Sequence, residues 1–437
     1  MDAVVEFLKP HLLPLLWAVV IVAVLPLVAG YIVLLERKVM ADIQARLGPM
    51  RVGPHGLLQP IADALKLLLK EDIIPANADK WIFWIAPLIS VTAAMLALSA
   101  MPFGPVFQIA DLNVGLLFIV AVSSLGIFGI VLGGWSSNSH YALLGALRSA
   151  AQVVSYEVAV GMALVSGLLL AGTLSMRKMV EAQAEQGVWF AFLVPVGFFI
   201  YLVAGIAELN RAPFDLPEAE SELVAGYMTE YSGFRWALYF LGEYTAMIVV
   251  SGIGTTLFLG GWLRPFPNVA AFDFLDYLPA VLFLALTGYC FYRAPKQPVP
   301  IQKAVMGLFG VLCLGITAAL GWAVTLPAEA VARAGILGAF WFLAKVFLFL
   351  YSFMWFRFTF PRYRFDQLMR LGWHFLIPVS LVNVMGVGAA LVLHRQAGWP
   401  LWQGLVLGTV VTLAVAAWLI LVRQRRPVAA PSAGGEV

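Results

Sequence analysis

Three ionisable residues stand inside long apolar stretches, where a charge is costly: Glu157, Glu243 and Lys345. A charge in hydrocarbon costs about 3 kcal/mol or more, so residues of this kind mark a functional pathway or a paired structural site. Glu157 follows Arg148 by nine residues, which on a helix is about 14 Å at 1.5 Å per residue. Arg148, Gln152 and Tyr156 recur at intervals of four, so a polar stripe leads toward it along one helix face. Glu243 adjoins Tyr244, and Lys345 precedes Arg357 by twelve residues. Two buried acids and one buried base read as a connected polar track, or as separate ion pairs that lock helix packing.

A second concentration of acids lies between Glu208 and Arg235. Glu208, Asp215, Glu218, Glu220, Glu222 and Glu230 face only Arg211 and Arg235 in the same stretch. Pro213 and Pro217 keep its first part extended, and AESELVAGYMTEY then has the composition of a helix. Glu218 and Glu222 would lie one turn apart on it. Crowded like charges with partial burial favour proton retention near neutral pH and exchange when a nearby charge changes. A solvated acidic loop is the plainer reading, but Phe214, Leu216, Tyr227 and Tyr231 argue for partial burial. Bases gather as tightly: Arg37, Lys38, Arg46 and Arg51 in one segment, Arg357, Arg362, Arg364 and Arg370 in another. They suit docking of a soluble partner, stabilisation of an anionic intermediate, or contact with phospholipid headgroups.

The elements that position these residues are membrane spans. Apolar residues make up 62% of the chain and charged ones 12%, with mean hydropathy +0.91, which excludes a soluble domain of this length. Segments long enough to cross a bilayer recur near 11–35, 82–101, 113–135, 149–172, 188–208, 237–262, 275–292, 301–324, 335–357, 373–394 and 401–422. The expected fold is therefore an all-α integral membrane protein with about eleven transmembrane helices. The first span is expected to be retained: it is too long for a cleaved signal, its flank (Asp2, Glu6, Lys9) is not basic, and Glu36-Arg37-Lys38 follows it directly. With the N-terminus outside and the C-terminus inside, roughly 20 of the 27 Lys and Arg fall in inside connections. The net charge of +3 is thus a topological signal and no sign of nucleic-acid binding. Gly56–Asp72 is too short to span; Gln59, Asp63, Lys66 and Lys70 share one face and leucines the other, as in an amphipathic surface helix. It either anchors a loop or lines a ligand entrance. Cys290 and Cys313 sit in separate apolar segments with no CxxC and only scattered histidines, so no metal or iron–sulfur site is expected.

These segments, taken together, resemble one family. ERKVMADIQARLGP with VGPHGLLQPIADALKLLLKED, AQVVSYE at 151–157, ELNRAPFDLPEAESELVAGYMTEYSG at 208–233 and FPRYRFDQLMRLGWHFLIP at 360–378 are similar to the quinone-pocket membrane subunit of respiratory complex I, NADH:quinone oxidoreductase. The resemblance implies a subunit that walls the chamber of a lipid-soluble quinone and couples its reduction to proton translocation in the cell inner membrane. It assigns Arg37, Gln44 and Arg46, with Phe240, Tyr244 and Arg357, to the quinone chamber. Glu36, Asp63, Glu157, Glu208, Asp215, Glu218, Glu220, Glu222 and Glu243 become the acidic path, and Lys345 joins them on its depth in the membrane. Iron–sulfur clusters, FMN and NADH would belong to partner subunits, none bound by this chain alone. The partners implied are hydrophilic quinone-module subunits, small membrane subunits beside the antiporter-like chain, lipid and the quinone.

In this frame residues 1–262 hold core spans with quinone-loop regions 36–81 and 209–236, and 335–394 hold two more. Residues 263–334 read as an insertion with two extra spans, 395–424 as an additional C-terminal span, and 425–437 as a disordered tail. Met50 also departs from the family pattern, which has Asn there. Two rival readings remain at this level: a membrane subunit of an energy-coupling hydrogenase or formate hydrogenlyase-type complex, and a stand-alone secondary transporter.

Overall fold

The computed structural model describes residues 2–216, 224–297, 299–327 and 330–424. The expected proton carriers Glu218, Glu220 and Glu222, and the expected tail 425–437, lie outside the described residues. Everything regular among the described residues is helical. In chain order the helices are α1 (Asp2–Ile43), α2 (Gln59–Leu69), α3 (Lys80–Ser99), α4 (Gly115–Ser136), α5 (His140–Ala171), α6 (Met176–Gln186), α7 (Phe190–Leu193) and α8 (Pro195–Glu208). They continue as α9 (Gly233–Phe258), α10 (Leu278–Arg293), α11 (Pro300–Thr325), α12 (Val331–Thr359), α13 (Phe365–Leu371), α14 (Ile377–Ala397) and α15 (Leu401–Gln424).

Ten helices among the described residues are long and apolar enough to cross a membrane, with α13 and α14 counted as one through a wider π-type turn at Gly372–Leu376. The expected span at 188–208 differs. It folds as two pieces, α7 and α8, because Pro195 lacks the N–H that would carry a helix through Val194. Alone, the 14 residues of α8 reach about 21 Å, short of a hydrocarbon core of about 30 Å. Both spans expected in the insertion are present as α10 and α11, packed on each other, with α11 also against α12.

Burial separates the centre from the periphery. In α9, 67% of the most apolar stretch is buried, against 11% in α15, so α9 is the hub and α15 a flank turned to lipid or partner. Small residues let the central helices close: a Cβ on Gly134 of α4 would stand 2.4 Å from the Ala146 Cβ of α5 and 2.6 Å from the Ala142 carbonyl. Gly134→Ala is therefore expected to destabilise by about 1–3 kcal/mol through overpacking, read as a lower thermal midpoint of the detergent-purified complex.

The amphipathic surface helix is α2. It packs on α1 and α9 and leaves Ile61, Leu65, Leu68 and Leu69 exposed, as a helix lying in the membrane interface would.

Candidate functional site

Four elements meet at the end of α1. Glu36, on α1, is buried, and its two carboxylate oxygens accept bonds from three side chains. Arg211, from the turn after α8, donates through Nη1 to Oε1 at 3.0 Å and Oε2 at 3.1 Å. The Tyr244 hydroxyl of α9 donates to Oε2 at 2.5 Å, and Arg357 of α12 pairs with Oε1. Arg211 turns its Nε toward Glu243 of α9, 2.6 Å away, and its guanidinium lies 4.5 Å from the Tyr244 ring. Two carboxylates and two guanidiniums thus share a site with almost no exposure at Arg211 (3%). Burial works against the Arg211 charge, but Glu243, Tyr244 and Glu36 hold its pKa well above the ordinary value. Buried charges persist only when paired this completely.

Local sequence explains how Arg211 arrives there. Gln152 of α5 donates to the carbonyls of Ala207 (2.8 Å) and Phe214 (2.7 Å), clamping both ends of the turn. Asn210, held in the left-handed region at φ 51°, donates to Ser149 at 2.9 Å. The far side is held by the α12–α13 connection: Arg362 pairs with Asp215 at 3.3 Å, Tyr363 stacks on Phe214 and its N–H donates to the Pro213 carbonyl. The Tyr156 hydroxyl donates to the Leu368 carbonyl at 2.9 Å, tying α5 to α13.

A cavity of about 120 Å³ opens beside this cluster, between α3, α4, α5, α8 and α9. Glu157, Glu208 and Glu243 line it with Asn210, Tyr227 and Tyr239. Glu157 also accepts a hydrogen bond from Ser124 of α4. Glu243 therefore belongs to both the ion cluster and the cavity wall. Three carboxylates around one small, mostly apolar chamber can pass protons through water between them.

The expected chamber residues fall into two groups. Arg37 pairs with Asp63 of α2 at 2.8 Å, and Gln59 donates to the other Asp63 oxygen, so α2 is moored to the end of α1. Arg46 and Gln44, exposed just beyond, hold each other at 2.7 Å. Tyr244 and Arg357 lie within the ion cluster, and Phe240 packs on Tyr244 with ring centroids 4.7 Å apart.

Lys345 is placed apart from all of these. Its ammonium donates to the carbonyls of Leu259 (2.6 Å), Gly261 (2.9 Å) and Leu263 (2.5 Å), with the Trp189 ring 4.5 Å away. Leu259 follows Glu243 by sixteen residues, about 24 Å along α9, so Lys345 sits at the opposite end of that helix. The hub arginine, Arg211, is not foreseeable from sequence: its partners are 175 and 32 residues away, and its only signal is being one of two bases in a stretch of six acids. Arg235, buried on Asp72 at 2.7 Å and over the Trp84 ring, is hidden for the same reason. Among the described residues no group of three His, Cys, Asp or Glu side chains is arranged to hold a metal ion.

Comparison with known proteins adds kinship to this geometry. A family model described as NADH dehydrogenase matches residues 16–388. A relative from Solibacter usitatus, an H-type subunit of NADH-quinone oxidoreductase, is 57% identical over 383 residues, covering 86% of this chain and 95% of its own. The H-type subunit from Koribacter versatilis is 55% identical over 403 residues, 87% and 93% of the two chains. The one from Rickettsia typhi is 42% identical, with 88% and 96% covered.

Proposed function

Because the chain belongs to the family of H-type subunits of NADH-quinone oxidoreductase, and so is a multi-pass membrane subunit of that multi-subunit oxidoreductase, we propose that it walls the quinone chamber and couples quinone reduction to proton movement. In this reading the quinone headgroup enters beside α1, α2 and α9, where Arg37, Gln44, Arg46, Phe240, Tyr244 and Arg357 present cations and aromatic faces. Electrons come from iron–sulfur clusters of partner subunits, fed by their FMN and NADH. Reduction puts negative charge on the quinone oxygens, and nearby guanidiniums stabilise it.

The acids then respond. A guanidinium drawn toward the anionic quinone loosens its hold on Glu36 or Glu243, and the uncompensated carboxylate takes up a proton. Glu243 hands the change to the cavity, where Glu208 and Glu157 continue the path; Asp63 and Asp215 adjust at its rim. Glu218, Glu220 and Glu222 would extend the path at the loop. The exposed bases Arg46, Arg362, Arg364 and Arg370 face the hydrophilic subunits, in the cell inner membrane. The observation that carries this reading is the double membership of Glu243, in the ion cluster and in the cavity wall. The kinship favours it over a hydrogenase subunit or a lone transporter.

Glu157→Gln keeps the Ser124 hydrogen bond but removes the titrating group. It is expected to cut proton pumping and coupled quinone reduction about tenfold or more, with assembly and NADH oxidation by artificial acceptors unchanged. Wild-type pumping and turnover in this variant would refute the cavity as a proton path.

A further inference from the structure

The α10–α11 hairpin takes no part in the proposed path, yet its turn is not bland. The segment 293–303, RAPKQPVPIQK, carries three bases and no acid. α11 packs on the short helical turn Pro54–Gly56 of the first loop, and this brings bases from two distant regions together. His55 of that turn stands in the electrostatic field of Arg293, the last residue of α10, and of Lys38 on α1. The His55 Nε2 and Arg293 Nε atoms are closed off from solvent with no hydrogen-bond partner among the described residues. No described carboxylate forms an ion pair with Arg293 or Lys38.

The backbone is shaped to hold the imidazole there. His55 itself adopts φ 53°, between Gly53 at φ 73° and Gly56 at φ 78°. A Cβ on Gly56 would lie 2.2 Å from the Pro49 carbonyl oxygen, so the turn admits glycine alone. α11 begins at Pro300, seven residues after Arg293, without a side-chain cap. An unpartnered imidazole nitrogen beside the Arg293 guanidinium and the Lys38 ammonium, neither of them in an ion pair with a described carboxylate, calls for an anion.

Which anion follows from the walls. Tyr292, Ile301 and Leu308 are exposed on the two helices, so apolar surface runs up to the bases. Lys296 lies over the Tyr292 ring at 3.5 Å, an arrangement suited to a membrane interface. We propose that the junction of the first loop and the α10–α11 hairpin binds an anionic phospholipid: His55, Arg293 and Lys38 hold its phosphate, and its acyl chains lie along α10 and α11. The hairpin thereby becomes a lipid-dependent brace on the loop that carries Arg46 and Gln44.

The test uses the whole purified complex, stripped of lipid in detergent and titrated with fluorescent phosphatidylglycerol. One saturable site is expected, competed by unlabelled phosphatidylglycerol and at least about tenfold less well by phosphatidylcholine, whose choline cancels the charge. Arg293→Gln and His55→Phe should each weaken it about tenfold. Arg293→Lys, which keeps the charge, should bind at intermediate strength and shows that the lost affinity is not lost folding. Equal affinity in wild type and both variants would overturn the proposal. So would full competition by inorganic phosphate at the same concentration, which would make this a free-anion site. Absence of a saturable site in wild type would also end it, leaving the corner to an acidic group of a partner subunit.

Discussion

Arg211→Met is expected to remove most of the assembled complex from the membrane. Among the described residues the side chain is the only base paired with Glu243 and one of two paired with Glu36. Without it a carboxylate remains buried and uncompensated, a change that costs about 3–5 kcal/mol when a buried ion pair loses one partner. Stability of that size is a large part of what any domain has, so membranes should hold less than about a tenth of the wild-type amount. The double variant Arg211→Met/Glu243→Gln restores charge balance, because Arg357 still serves Glu36. It should recover much of the assembly while NADH:quinone turnover stays low, since the residue joining cluster and cavity has lost its titrating carboxyl. Blue-native gels report assembly; quinone and artificial-acceptor assays on the same membranes report turnover. If the single variant assembled normally, the four-group cluster would not be the structural keystone its geometry describes.

How far the sequence foretold this cluster depends on what hydropathy measures. It reads depth along a span well, and Glu157 and Glu243 stood out because a charge at depth has few innocent explanations. It does not read azimuth. Whether two residues at similar depth face each other depends on helix rotation and packing, which are fixed by contacts such as Gly134 against Ala146. The partnership of Arg211 with Glu36 spans 175 residues and was invisible for that reason. The split of the fifth expected span at Pro195 was legible in principle, because proline inside an apolar run marks a break. Its apolar content hid it. The short-range pairing of Gln59 with Asp63 follows directly from their spacing of four on α2.

Lys345 is the sharpest case, and it carries the second large effect. By depth alone it joins the buried acids as a candidate proton carrier. The structure surrounds it with carbonyls: Leu259, Gly261 and Leu263 accept from one ammonium where α9 ends. Leu259 caps the C-terminus of α9 and Gly261 and Leu263 follow in the loop, so the ammonium serves carbonyls at and just past the helix end, where a cation also suits the helix dipole. Lys345→Met removes the donor from two buried acceptors and one partly buried one, at about 1–3 kcal/mol for each left buried and unsatisfied. The expected result is a fall in assembled complex of at least about tenfold, with turnover and pumping per assembled complex close to wild type. Lys345→Arg keeps the charge and the donors and should rescue assembly in part. A proton carrier would give the opposite pattern, normal assembly with pumping lost, and that outcome would return Lys345 to the path with Glu243. The distinction matters for the proposed mechanism: without Lys345 the proposed path would rest on carboxylates and tyrosines alone, with its fixed positive charge at the end where Arg211 and Arg357 meet the proposed quinone chamber.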